Sequence, residues 1–241
     1  MFTFDDIERQ ISPERAATYL AATTDDRERA LAVYEWHAEL TGVLFPVVAD
    51  VEIVVRNAMH RVLSEYHDTH RPSSTTQLSW FDQPCWLPTT RRGWLNQRSL
   101  DDIAKARRRV GDRPGSVREP AGRVIAELSL GFWKYLLSSH HQHSFWSPAL
   151  RHAFPGAPRA SAPVGREQVF RRVDQLHVLR NRLAHHEPVL RPLKMLRQPP
   201  VFIDVATIID EAIEVVSWID VTTATWIESR SMVEEVLKRR P

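Results

Sequence analysis

Between Val169 and Leu183 the apolar residues fall on a single stripe of a helix. At 100° per residue, Val169, Val173, Leu176, Leu179 and Leu183 share one face, and Pro188 follows where a helix cannot continue. Helical periodicity of this kind recurs in at least six segments, and no stretch between turn signals alternates as a half-buried strand does. The chain therefore reads as all-α.

Arg180 falls near the middle of that stripe. A desolvated guanidinium without a partner is costly, so an arginine aimed into an apolar face needs an anion or a carboxylate there. Asn181 and His185, four apart, lie along the flanking edge. Residues 179–188, LRNRLAHHEP, are thus the candidate for chemistry rather than packing.

Arg180-Asn181-x-x-x-His185 resembles the Arg-x(4–6)-His signature of HEPN domains, a helical ribonuclease family. The wider context, LRNRLAHHEPV, looks like the corresponding segment of Abi-like proteins, the HEPN-type abortive-infection family. Gly122–Leu137 (GRVIAELSLGFWKYLL) and Val51–His60 (VEIVVRNAMH) match the same family, so the resemblance runs from about residue 30 to residue 227. It implies an all-α, HEPN-type helical bundle, here with additional helices and long loops. It also implies an endoribonuclease toxin or antiphage effector that needs no metal or other cofactor. In that reading Arg180 stabilises the phosphate, His185 is the acid or base, Asn181 supports them, and two signature helices face each other in a homodimer. In HEPN proteins that are AMPylation targets a tyrosine follows the histidine by two. Glu187 stands at that position, so the acceptor is missing.

The residue chemistry suits such a reaction. Cleavage through the ribose 2′-OH needs a proton acceptor or donor, and histidine titrates near ~6.5. Charge building up on the phosphate needs a fixed cation, and a guanidinium fork matches phosphate oxygens. Yet residues five apart in a regular helix project about 140° from each other. Either the helix distorts near His185, or a two-fold brings two copies together in a homodimer or higher oligomer with a composite site. His186 and Glu187 either tune His185 or cap the helix end.

Along the chain, Phe4 to Ala22 reads as a short helix with a second start at Ser12-Pro13. Helices are expected over about Asp26–Leu40 and Val43–Tyr66, interrupted at Thr41-Gly42. The division drawn is an N-terminal helical segment, 1–42, and a HEPN-like helical domain, 43–241, with one continuous domain as the alternative. Glu52, Arg56 and His60 line one edge of the second helix. They form either an ordinary salt-bridged edge or, through Glu52 or Asn57, a support for Arg180.

An irregular insertion spans about 71–97. Its Trp80, Trp86, Trp94, Arg91 and Arg92 either pin it to the core or clamp single-stranded RNA bases. A helix over Ser99–Val110, with Ser99 as N-cap, ends in Arg107-Arg108-Arg109, which complement its dipole or contact phosphates. Gly111–Pro120 is a basic turn. Gly122–Ser139 reads as one helix, apolar nearly all round, that is central or at a dimer interface. The histidines at 140, 141 and 143 read as a solvated loop, with metal ligation the lesser alternative. A short helix at Trp146–Phe154, a linker at 155–165 and the signature helix at about Arg166–Ala184 follow. A basic loop over 190–200 then leads to helices at about Phe202–Asp220 and Val221–Arg239.

Composition bounds the rest. With 43% hydrophobic residues and a net charge of only +2, a substantial core is available, but nucleic acid must be bound by local basic patches. One cysteine, Cys85, rules out an internal disulfide. The acidic start MFTFDDIERQ is unlike a secretion signal, and no apolar run suits a bilayer, so a cytoplasmic protein without membrane contact is expected. The expected partners are RNA, a second copy, and an inhibitory antitoxin, either protein or small RNA. The rival readings are a non-catalytic RNA-binding or assembly module, and a metal-dependent hydrolase built on the 140–143 histidines.

Overall fold

One helix, α3, runs unbroken from Arg27 to His70, about 66 Å at 1.5 Å per residue. The computed structural model describes residues 2–70, 79–82, 84–87, 95–111, 121–195 and 199–241. The expected break at Thr41-Gly42 does not occur. Val33, Trp36, Leu40, Leu44, Val47, Val48, Val51 and Val55 form one continuous buried stripe across it. Each such side chain stabilises by about 1.5–3 kcal/mol, which outweighs the ~3 kcal/mol cost of Pro46 inside the helix. Gly42 and Pro46 both lie on the exposed side, where water can meet the carbonyl that the proline leaves without a donor.

Two short helices, α1 (Phe4–Ile11) and α2 (Pro13–Leu20), cover the start of α3. Helix α4 (Gln97–Arg109) is capped by Asn96, whose side chain accepts from the Ser99 amide, so the cap lies three residues before the expected Ser99.

The apolar segment after residue 120 is two helices, not one. Helix α5 (Ala121–Ala126) stops, and α6 (Leu130–Leu136) restarts from Ser129 in extended conformation. The break lets Leu128, Leu130, Phe132, Trp133, Leu136 and Leu137 all be buried within a single chain. No unburied apolar helix is left there to call for a second copy.

A 3₁₀ turn (Ser139–His141) and a π turn (Gln142–Trp146) come next, then a 3₁₀ turn at Leu150–Ala153 in place of the expected helix from Trp146. His141 is fully buried, so the histidine stretch is not simply a solvated loop. Its ring meets Tyr135 and Phe145 edge-on, and its Nδ1 lies 3.0 Å from Ser144 Oγ.

Helix α7 (Pro163–Ala184) is the expected signature helix, begun by proline at its first position. Val169, Val173, Leu176, Leu179 and Leu183 are all buried, as their spacing requires. Arg166, also buried, donates to the Leu137 carbonyl at 2.7 Å and to Gln142 Oε1 at 2.8 Å, which ties α7 to the end of α6.

Beyond α7, residues 190–200 are not merely a loop. Strands β1 (Leu193–Met195) and β2 (Val201–Ile203) pair antiparallel, Lys194 opposite Phe202. Three helices close the chain: α8 (Val205–Ile219), α9 (Val221–Arg230) and α10 (Val233–Lys238). The last expected helix is thus divided at Ser231-Met232. Helices α3, α7 and α8 pack against one another, and α10 returns to α3, where Trp36 Nε1 donates to the Val236 carbonyl at 2.7 Å. The fold is all-α apart from this hairpin among the described residues, none of whose helices is long and apolar enough to cross a membrane.

Candidate functional site

Arg180 meets the carboxylate that its place on an apolar stripe demands. Its Nε lies 3.4 Å from Glu52 Oε2 on α3. Asn57, the other sequence candidate, is exposed and its Oδ1 accepts from Arg56 Nε, while Arg56 Nη1 reaches the Ala126 carbonyl at the end of α5. His60, next along that edge, accepts at Nδ1 from Trp80 Nε1 at 3.0 Å. This edge of α3 therefore does two jobs, holding Arg180 at one point and packing its neighbours at the others.

Beside Arg180 lies a cavity of about 390 Å³ between the start of α4, residues 129–135 and α7. Arg180 and Asn181 line it, and so do Arg98, Ser129, Lys134 and His177. The Asn181 amide faces back along the helix, its Nδ2 3.2 Å from His177 Nε2. Helical side chains lean toward the N-terminus, so residue 181 reaches the turn holding 177 rather than the one holding 185. The expected pairing of Asn181 with His185 exists only through the backbone, where the His185 amide donates to the Asn181 carbonyl at 3.0 Å.

His177 is the residue that motif spacing passed over. Lys134 Nζ sits 3.3 Å from its Nδ1 and 2.9 Å from Asp174 Oδ1. An ammonium only donates, so Nδ1 is the acceptor and the imidazole proton resides on Nε2. The Asn181 amide then belongs with its oxygen toward that proton, the two amide orientations being equivalent in shape. Burial, followed by the charges of Lys134, Arg180 and Arg98, pushes His177 down to about 4 against the opposing pull of Asp174. It is a neutral imidazole at physiological pH. Two signals for this cluster were present in the sequence: His177 one turn before Asn181, and Lys134 as the sole charge in the apolar run GFWKYLL.

Gly131 completes the cavity wall. A Cβ there would stand 3.1 Å from His177 Nε2 and 3.5 Å from Ser129 Oγ, so the bare backbone is what lets the ring sit where it does.

His185 lies outside the cavity, exposed, as the C-cap of α7. Beyond it His186 adopts φ 55°, its amide donating to the Leu183 carbonyl at 3.0 Å and that of Glu187 to the Arg182 carbonyl at 2.8 Å. These two bonds are a Schellman closure, normally built on glycine. The backbones of His186 and Glu187 therefore cap the helix, while the Glu187 carboxylate lies 3.5 Å from Arg182 Nη1. Arg15 of α2 donates to the His186 carbonyl, and His37 Nε2 accepts from the Val189 amide at 3.2 Å. The end of the signature helix is thus pinned from both α2 and α3.

The other basic candidates divide. Arg107 forms an ion pair with Asp82 and stacks over Phe81, a structural role. Arg109 lies 3.4 Å from Glu127, and Arg108 is exposed. Arg91, Arg92, Trp94 and nearly all of the Gly111–Pro120 turn fall outside the described residues. Of the loop tryptophans, Trp80 is buried and Trp86 donates to the Ser144 carbonyl at 2.7 Å, so the two anchor residues 79–82 and 84–87 to the core. No group of three or more His, Cys, Asp or Glu able to hold a metal occurs among the described residues. Comparison with protein-family models, curated proteins and solved structures yields no match.

Proposed function

We propose that the chain is an endoribonuclease of the HEPN kind, resembling the Abi-like proteins, that cleaves single-stranded RNA through its 2′-hydroxyl. Arg180 binds the scissile phosphate, Asn181 supports the site, and His185 transfers the proton, contributed across a homodimer two-fold. The carrying observation is Arg180 itself. It is anchored by Glu52, keeps a face toward an open polar cavity, and has donors to spare for a phosphate.

In the reaction the ribose 2′-oxygen attacks phosphorus and loses its proton to a base, and the bond from phosphorus to the 5′-oxygen breaks. The leaving oxygen takes up a proton, and the products carry a 2′,3′-cyclic phosphate and a 5′-hydroxyl. The internal nucleophile is already beside the phosphorus, so positioning and charge neutralisation are the protein's share. His185, solvent-facing at the helix end, is free to serve a phosphate held by the Arg180 of a second copy.

One observation favours a second reading. His185 does not line the cavity that holds Arg180 within one chain, as befits a module that binds RNA without cutting it, in a toxin–antitoxin or defence assembly. Incubating purified protein with total RNA, beside an Arg180→Ala/His185→Ala double variant, separates the two. Cleavage by the wild type alone supports the nuclease. Binding that depends on Arg180 without cleavage supports the module.

A further inference from the structure

The cavity beside Arg180 holds more cationic and donor groups than one scissile phosphate needs. Lys134 carries three N–H donors, of which Asp174 and His177 take two. Arg98 is exposed at the rim with no ion-pair partner among the described residues. Ser129 Oγ lies against the same wall as His177, where Gly131 leaves the space. These groups come from three elements, α4, α6 and α7, and converge on a space of about 390 Å³, wide enough for part of a nucleotide.

We propose that this cavity binds a second phosphate of the RNA strand, next to the one assigned to Arg180, with Lys134, Arg98 and His177 as its ligands. The inference rests on the nuclease or RNA-binding reading of Arg180 and extends it. The recognised ligand is a strand with adjacent phosphodiesters rather than a single nucleotide.

His177 makes the subsite proton-coupled. The charged groups that act on its ring are Lys134 from α6, Arg98 from α4, and Asp174 and Arg180 from its own helix; Asp102 of α4 lines the same cavity, and Glu52 of α3 stands behind Arg180. Burial first, and then the three cations, keep the ring neutral. An entering phosphate reverses that balance, because an anion beside an imidazole favours the charged form. The ring then gains its second N–H at Nδ1 as the Lys134 ammonium turns from that nitrogen to the phosphate, and the new N–H donates there too.

The test uses a hexauridylate carrying 2′-O-methyl groups throughout, which cannot be cleaved and whose diesters and bases do not titrate between pH 5 and 7.5. Affinity by fluorescence anisotropy should be roughly tenfold higher at pH 5 than at pH 7.5, the coupling expected when a ring that titrates at about 4 in the free protein titrates roughly two units higher in the complex. Part of that gain should vanish in His177→Gln. Ring nitrogen resonances of His177 should move toward the protonated form on saturation. Lys134→Gln combined with Asp174→Asn, which leaves neither charge unpaired, should weaken binding at both pH values. Arg98→Ala, at an exposed position, should do so more mildly. Identical pH dependence in wild type and His177→Gln, or His177 resonances unmoved at saturation, overturns the subsite. If RNA is cleaved while His177 stays silent, the subsite fails and the nuclease stands. If His177 responds but RNA is never cut, the nuclease fails and the subsite stands.

Discussion

Lys134 donates to Nδ1 of His177 across 3.3 Å, and this one contact fixes which face of the imidazole looks into the cavity. Asp174 holds the lysine from the other side at 2.9 Å, so the ring is oriented by a pair on neighbouring helices, not by its own flexibility. Arg180 is fixed in the same manner by Glu52. Both side chains are placed before any ligand arrives.

Glu52→Gln should free Arg180 to wander. RNA cleavage should fall roughly ten- to a hundred-fold, since misplacing a group by an ångström or so costs about that much. Stability should change by less than about 1 kcal/mol, because the arginine side chain is 39% exposed and its ion pair is partly screened. Paired activity and melting measurements check this. A large loss of stability with unchanged cleavage per folded molecule would assign Glu52 to packing alone.

Gly131→Ala should leave the fold intact, alanine being the better helix former. Its methyl group, 3.1 Å from His177 Nε2, must push the ring by a few tenths of an ångström. The His177 ring resonances should shift and RNA affinity should drop severalfold. Unchanged resonances would mean that the wall relaxes around the methyl.

Acid should destabilise the protein well above the carboxylate range. His37, His141 and His177 are each pushed down to about 4, chiefly by burial. An unfolded histidine takes up its proton near ~6.5, so between those values the unfolded chain binds more protons than the native one. The stability from these three groups is complete above about pH 6.5, falls as pH drops toward 4, and is then exhausted. Urea midpoints should decline steadily between pH 7 and 4.5. A midpoint constant across that window would contradict the burial of these rings.

His186→Gly should raise the melting temperature. A non-glycine residue at φ 55° is strained by about 1 kcal/mol or more, offset by the greater freedom glycine gives the unfolded chain. A net gain of up to about 1 kcal/mol is expected. A loss would show that the His186 side chain, not its backbone, matters to the cap.

The helical content and the α7 stripe were legible because burial repeats with a period that any reader of the sequence can count. Where local signals misled, tertiary burial had overruled them. The stripe from Val33 to Val55 runs straight through Gly42 and Pro46, so a breaker on the solvent side broke nothing. Conversely, the segment after Ala121 breaks without glycine or proline at the break, because two short helices bury more of its all-round apolar surface than one could. At the candidate site, Arg180 demanded a carboxylate and Glu52 lay in the matching segment of α3. His177 was not legible in the same way, since its meaning comes from Lys134, 43 residues away, which only the packing of α6 on α7 brings to it.

In the proposed reaction Arg180 and His185 direct cleavage by the substrate's own 2′-hydroxyl. The most direct test is a single-stranded oligoribonucleotide incubated with the protein in excess EDTA, beside the same oligonucleotide with a 2′-O-methyl group at the mapped scissile site. The first should be cut to 2′,3′-cyclic phosphate and 5′-hydroxyl ends. The second should resist, and His185→Ala should slow cutting of the first roughly 10²–10⁴-fold. Cleavage abolished by EDTA, or a methylated site cut as fast as the unmodified one, would contradict it.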